Sequence, residues 1–275
     1  VLLVPQFSDI ISRKEIDLVS CLDNRHRFRL PVISSPMDTV TGHKMARAMS
    51  DLGGLGIIHR YNTIADQVAM VKRALESEYS EGNEVVGVAV GVSGDYLERA
   101  SLAAKAGAKI ICVDIAHGHH TLMRHTLKTL RNTLGNSVHI MAGNVATLEA
   151  FNDLSDWGAD SIRVGIGGGS ICSTRIQTGH GMPTLQSVID CARSDRDVGL
   201  IADGGIRTSG DIVKALAAGA DFVMLGSLLA GTEESPGDTI FDNGGQRKVY
   251  RGMASKDAQL EWRGHAASEE GVSST

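Results

Sequence analysis

Hydrophobic residues in this chain come in short unbroken runs, separated by stretches in which apolar positions recur at helical spacing. The runs fall at 31–35, 54–59, 86–91, 109–116, 139–145, 161–166, 199–205 and 221–229. They are mostly continuous Val, Ile, Leu and Ala, as in strands buried on both faces. Between them, segments such as 63–76, 95–106 and 209–218 carry their apolar residues on one helical face. Strand followed by helix, repeated, predicts right-handed βαβ units and a parallel sheet. Eight such units predict an α/β fold closed into a (β/α)8 TIM barrel; an open doubly wound sheet is the alternative. Gly107-Ala108-Lys109, Gly158-Ala159-Asp160 and Gly219-Ala220-Asp221 mark joints where glycine ends a helix before the next strand. No linker, low-complexity tract or inserted regulatory domain breaks the pattern, so residues 1–275 read as one domain. The missing initiator Met, the strand-like Val1-Leu2-Leu3-Val4 and the abrupt close at 271–275 suggest a chain cut at both ends.

Composition narrows the class. With 42% hydrophobic residues but 4% aromatics, the core must be filled by Val, Ile, Leu, Ala and Met. The formal charge of −5 is spread as mixed signs without a basic stripe, so nucleic-acid binding has no electrostatic support. No apolar run reaches the roughly 18 residues of a membrane span, and no signal peptide is visible. Cys21, Cys112, Cys172 and Cys191 are widely spaced, which fits free thiols in a reducing cytoplasm better than a disulfide framework.

In such barrels the chemistry gathers at the C-terminal ends of the strands, and phosphate often binds after the seventh and eighth. The seventh run ends in Asp203-Gly204-Gly205 and the eighth carries Gly226-Ser227. Glycine lets backbone N–H groups approach an anion, and Ser227 adds a hydroxyl. Asp203, an acceptor beside such a site, suits ribose hydroxyls. The same glycines would serve plain tight turns, but their place on both expected strands favours phosphate.

After the sixth run comes Gly165-Ile166-Gly167-Gly168-Gly169-Ser170-Ile171-Cys172-Ser173-Thr174-Arg175. A glycine-rich loop there can turn carbonyls toward a cation or N–H groups toward an anion. Cys172, without a partner cysteine in this loop, is the candidate nucleophile. Cys21, Cys112 and Cys191 read as inert core residues. Thr174 can orient a water or the nucleotide, and Arg175 can act as an electrostatic partner. His117, His119 and His120 have tempting spacing for a metal, but no matched carboxylate or cysteine set accompanies them. A cofactor-facing or solvated role is the better reading.

The loop 165–175 resembles the catalytic-cysteine loop of the IMP dehydrogenase/GMP reductase family. Four further segments agree, beginning with Ser34-Ser35-Pro36-Met37-Asp38-Thr39-Val40 and Ala142-Gly143-Asn144-Val145-Ala146-Thr147. The others are Ile201-Ala202-Asp203-Gly204-Gly205-Ile206 and the stretch 224–237, and Tyr250-Arg251-Gly252-Met253 completes the set. The resemblance implies a purine nucleotide substrate, IMP or GMP, and a nicotinamide cofactor, NAD or NADP. It also implies an adduct between Cys172 and C2 of the purine. By the same likeness Ser170, Gly205, Gly226, Ser227 and Tyr250 would hold the phosphate and Asp203 the ribose. Gly252 and Met253 would face the base, and Ser35, Met37, Asn144 and Arg163 are further substrate-binding candidates. Asp114, Ala116 and His117 would face the cofactor. Carbonyls of Gly167, Gly169 and Cys172 would ring a potassium ion. Glu270 resembles the residue that bonds the purine N1 edge, with a catalytic role beside Thr174. A homotetramer is also implied.

Within the family the resemblance points two ways. Ser34-Ser35-Pro36-Met37, Asp203-Gly204-Gly205-Ile206-Arg207 and Gly226-Ser227-Leu228-Leu229 are similar to the dehydrogenase versions. The dehydrogenases, however, carry a mobile flap with an Arg-Tyr pair that activates water. Here only 254–269 separates Gly252-Met253 from Glu270-Gly271, and Arg263 is followed by Gly264. That short connection looks more like a reductase. Gly168 and Ser173 also replace the family's usual Pro and Thr. The expectation is NAD-dependent oxidation of IMP to XMP, with NADPH-dependent reductive deamination of GMP to IMP as the alternative. A catalytically silent nucleotide-binding barrel, or a barrel acting on a small sugar phosphate, represents other classes.

Overall fold

The computed structural model describes residues 1–76, 84–242, 245–266 and 271–274. Its apolar runs form strands β1 (Val32–Ser34), β2 (Leu55–Ile58), β3 (Val86–Val90), β4 (Ile110–Asp114), β5 (His139–Val145), β6 (Ser161–Val164), β7 (Gly199–Asp203) and β8 (Phe222–Leu225). Each pairs parallel with the next, and β8 returns to β1 with Val223 opposite Val32. The sheet is therefore the closed barrel expected from the pattern, not an open one.

Helices α1 (His43–Asp51), α2 (Ile64–Leu75), α3 (Tyr96–Lys105), α4 (Thr121–Leu134) and α5 (Leu148–Asp156) follow the first five strands. Then come α6 (Thr174–Thr178), α7 (Thr184–Cys191), α8 (Ser209–Ala217), α9 (Ser227–Ala230) and α10 (Lys256–Arg263). Thr63, Thr147 and Thr208 start α2, α5 and α8, each hydroxyl accepting from the backbone N–H three residues on. Gly107, Gly158 and Gly219 follow α3, α5 and α8 at φ near +110°, where a side chain would be strained.

Alternate strand residues point inward and outward. Outward, Val86, Val88, Ile111 and Val113 pack with Leu127 and Leu130 of α4 among others. Inward, Ile110, Cys112, Met141, Ile201, Phe222 and Met224 fill the barrel. Its N-terminal end is closed by a hairpin pairing Ser20–Cys21 with Arg27–Phe28. Leu22 and Phe28 join the inner cluster, and Phe28 meets Phe222 edge-on at 5.6 Å.

Three local expectations fail. The run 221–229 is not one strand: β8 stops at Leu225, and the apolar residues after Gly226 form α9. Val1-Leu2-Leu3-Val4 forms no strand and lies exposed, because no sheet edge receives it. Cys21 is exposed on the hairpin rather than in the core. Among the described residues, no helix is long and apolar enough to cross a membrane.

Candidate active site

The inward column turns polar at the C-terminal ends of the strands. Asp114 ends β4, Arg163 lies in β6 and Asp203 ends β7. The buried Arg163 guanidinium donates to Asp114 Oδ1 at 2.6 Å, to Asp203 Oδ2 at 2.9 Å and to Cys112 Sγ at 3.4 Å. Burial opposes its charge, but Cys112 and the two carboxylates outweigh burial and hold its pKa well above the ordinary arginine value. Asn144 Nδ2 donates to Asp203 Oδ2 and to the Gly165 carbonyl, both at 2.8 Å. Oδ2 of Asp203 is thus fixed from two sides.

The cysteine loop leaves β6 through Gly165. A Cβ there would stand 1.9 Å from the Asp203 carbonyl oxygen, and φ is +146°, so only glycine lets the loop cross β7 this closely. Cys172 is half-buried, and its Sγ–H donates to Thr174 Oγ1 at 3.2 Å. The loop is clamped from above. Val272 N–H donates to the Ile171 carbonyl at 2.9 Å, and Gly252 N–H to the Val272 carbonyl at 3.0 Å. Cys172 also forms an antiparallel bridge with Gly271.

A cavity of about 490 Å³ opens over this layer, within the size range of small-molecule sites. Gly167, Gly169, Ser170, Cys172 and Thr174 line it from the β6 loop. Asp203, Gly205, Gly226 and Ser227 reach it from β7 and β8. Ser35 and Met37 line it after β1, Asn144 and Arg163 in the barrel mouth, and Tyr250, Gly252 and Met253 from the C-terminal segment. Asp114 and Ala116 line it after β4. The Tyr250 hydroxyl is hydrogen-bonded to Ser170; burial raises its pKa, against that bond. A Cβ at Gly226 would sit 2.8 Å from the Tyr250 oxygen, so glycine there makes room for the hydroxyl.

Other candidates lie elsewhere. His117 is exposed and does not line the cavity. His119 Nε2 meets Asp153 at 2.8 Å and its ring stacks on Trp157. His120 caps α4, its Nδ1 accepting from Leu122 N–H at 3.1 Å. The His117 and His119 rings stand 6.5 Å apart, and among the described residues the three histidines are not part of a convergent ligand group. Arg175 is exposed and lies against Gly167 and Gly181. Glu270 lies outside the described residues. Burial pushes the thiols of Cys112 and Cys191 up to about 11 and about 12, which keeps both protonated and unreactive.

Two groups near the cavity were not anticipated. Arg60 and Tyr61, after β2, line it, with the guanidinium 5.1 Å above the tyrosine ring and 3.8 Å from Asp114. A polar and aromatic pair directly after an apolar run was the available signal. The second group is Asp38, whose Oδ2 accepts from Arg251 Nε and Trp262 Nε1, each at 3.0 Å. Arg251 also meets Glu261 at 2.7 Å, and Met253 Sδ accepts from Asp38 N–H at 3.3 Å. This network pins α10 beside the Gly252-Met253 turn; the partners of Asp38 lie over 200 residues from it, beyond any sequence spacing.

The fold and its mouth define a parallel-barrel protein with a cysteine loop and a glycine-lined cradle sharing one cavity. The family model described as IMP dehydrogenase / GMP reductase domain matches residues 1–274, and the chain belongs to that family. It is 34% identical to inosine-5'-monophosphate dehydrogenase of Nitrosopumilus maritimus, over 94% of this chain and 80% of that protein. With the Cryptosporidium parvum protein of the same name the identity is 40%, over 96% of this chain and 75% of the relative. A GMP reductase of Leishmania major is 32% identical, with 94% and 80% covered.

Proposed function

We propose that this chain is an IMP dehydrogenase, oxidising IMP to XMP with NAD. The supporting observation is Cys172, bonded to Thr174 at 3.2 Å, in one cavity with Ser227, Tyr250 and Asp203. In this reading the glycine amides at 204–205, Ser170, Ser227 and Tyr250 take the phosphate. Asp203, with Oδ2 held by Arg163 and Asn144, offers Oδ1 to the ribose hydroxyls. Gly252 and Met253 lie against the base, with Ser35 and Met37 beside them.

Thr174 Oγ1 holds the thiol hydrogen in the resting site. The thiol gives up its proton to solvent water and the Cys172 thiolate adds to C2 of IMP; the hydrogen on C2 departs as hydride, and a thioimidate remains between sulfur and C2. Water adds to C2 and releases a proton to solvent, the sulfur leaves as thiolate, and XMP is released. A nicotinamide cofactor bound in the cavity supplies the hydride acceptor. Asp114, an acceptor in the same cavity as Cys172, suits its ribose, with Ala116 alongside. The backbone oxygens of Gly167, Gly169 and Cys172, hard ligands from a single turn, would hold a potassium ion. Gly169 O also accepts from Cys172 N–H at 3.2 Å, which curls the turn. A cytoplasmic homotetramer completes the reading.

One observation favours the other activity of the family, reduction of GMP to IMP. The connection after Met253 is occupied by α10, packed through Trp262 on Asp38, and holds no Arg-Tyr pair. A reductase, which needs no activated water, would tolerate this. The test is a pair of assays on the same preparation: IMP with NAD, then GMP with NADPH, each followed by nicotinamide absorbance. NADH formation in the first with no consumption in the second supports the proposal. Consumption of NADPH only with GMP replaces it with GMP reductase, and nucleotide binding without turnover in either points to a silent barrel.

A further inference from the structure

The end of the barrel opposite Cys172 carries a cluster for which the reaction has no use. His139, the first residue of β5, points into the barrel and is fully buried. Asp23 and His26 reach it from the hairpin that closes this end. Asp23 Oδ2 lies 2.8 Å from His139 Nδ1 and 3.0 Å from His26 Nδ1, and the three side chains converge within 4.8 Å.

The other atoms of two of these side chains are already held. Asp23 Oδ1 accepts from the backbone N–H of Arg25 at 2.7 Å and of His26 at 2.8 Å and also lies 2.9 Å from His26 Nδ1, which fixes the carboxylate against both imidazoles. His139 Nε2 meets the buried Ser161 Oγ at 2.7 Å. Ligands of a transition metal are oriented in this way, by hydrogen bonds to their far atoms.

We propose that Asp23, His26 and His139 form a site for a divalent transition metal of the zinc class, bound through Asp23 Oδ2 and the two Nδ1 atoms. Two imidazoles and a carboxylate leave one tetrahedral position for water. Ligand atoms around zinc stand about 3.3 Å apart, so the present 2.8–3.0 Å spacings open by a few tenths of an ångström on binding. Each ring moves its proton from Nδ1 to Nε2, and His139 Nε2–H then donates to Ser161. The Arg25 guanidinium, 3.1 Å from Asp23 Oδ2 and also donating to the Asn136 carbonyl, must release the carboxylate for the metal to bind. The metal would fasten the hairpin to β5 and close the floor of the barrel.

The test uses the full chain carrying Cys172→Ser, so that the loop thiol cannot bind the probe. Equilibrium dialysis against Zn²⁺ should give one tightly held equivalent, Co²⁺ should give the visible bands of a tetrahedral site, and Tm should rise with Zn²⁺ concentration. His26→Gln should lose the equivalent and the bands, with far-ultraviolet circular dichroism unchanged in metal-free buffer. Ser161→Ala should retain binding but weaken it by about tenfold or more. No tight equivalent in the parent protein, or the same equivalent and bands surviving in His26→Gln, overturns the proposal. Should His26→Gln fail to fold, Asp23→Asn is judged by the same two readouts.

Discussion

Arg163→Met removes the guanidinium that joins the two carboxylates at the barrel mouth while keeping most of the side-chain volume. Asp114 loses its 2.6 Å partner and Asp203 its 2.9 Å partner; Asn144 remains on Asp203. Breaking a buried ion cluster from one side costs about 3–5 kcal/mol, because charge is left without compensation. The Asp114 and Asp203 side chains keep 19% and 14% of their exposure, so water relieves part of this and the lower end, about 3 kcal/mol, applies. Unfolding entropy of about 2.1 cal/mol/K per residue converts that to a Tm about 5 °C lower for a chain of 275 residues. Nucleotide affinity should also fall, by about tenfold or more, as Asp203 is no longer aimed at the ribose. Arg163→Lys, which keeps the charge but not the fork, should recover part of both losses. Differential scanning calorimetry gives the first quantity, and isothermal titration with IMP well below Tm gives the second. A methionine variant that melts with the wild type and binds IMP equally well would refute the organising role of Arg163.

Other perturbations address separate parts of the site. Gly226→Ala places a methyl 2.8 Å from the Tyr250 oxygen, so KM for IMP should rise about tenfold or more as the phosphate contacts are displaced; an unchanged KM would place the phosphate elsewhere. Burial holds His59 down to about 4, with Asp38 opposing and Arg99 and Arg251 assisting. Between pH 6.5 and 4 the unfolded chain therefore takes up a proton that the folded chain refuses. This contribution, about 3 kcal/mol, is fully present above pH 6.5 and lost as pH falls toward 4. His59→Gln should flatten that part of the curve of Tm against pH, and an undiminished slope would assign it to other groups. Replacing potassium by lithium in the assay should lower kcat severalfold; equal rates in the two salts would remove the cation from the β6 turn.

Much of this was legible along the chain, for reasons that differ by region. The strands announce themselves because both faces are buried, so 86–91, 139–145 and 199–205 read as continuous apolar runs and fold as β3, β5 and β7. The run 221–229 misleads because α9 is also apolar, and only Gly226 separates it from β8. The hairpin 20–28 is invisible to periodicity, since its strands are two residues each and its task, closing the barrel floor, is set by tertiary contact. Cys21 was misplaced for the same reason. At the site, position after a strand was enough to single out Cys172, Asp203 and Ser227. Arg163 was reached only through family likeness, because a buried arginine inside an apolar run looks like a fault until Asp114 and Asp203 are seen around it. The Asp38–Arg251–Trp262 contacts carry no local signature at all.

The covalent step is best tested at the sulfur itself. The enzyme is mixed with IMP and NAD, quenched in acid during turnover, digested, and the peptide carrying Cys172 is weighed by mass spectrometry. The account predicts that this peptide gains the mass of the oxidised nucleotide, and that the gain is absent without NAD and in Cys172→Ser. An enzyme that forms NADH at full rate while every quenched Cys172 peptide remains unmodified would contradict it.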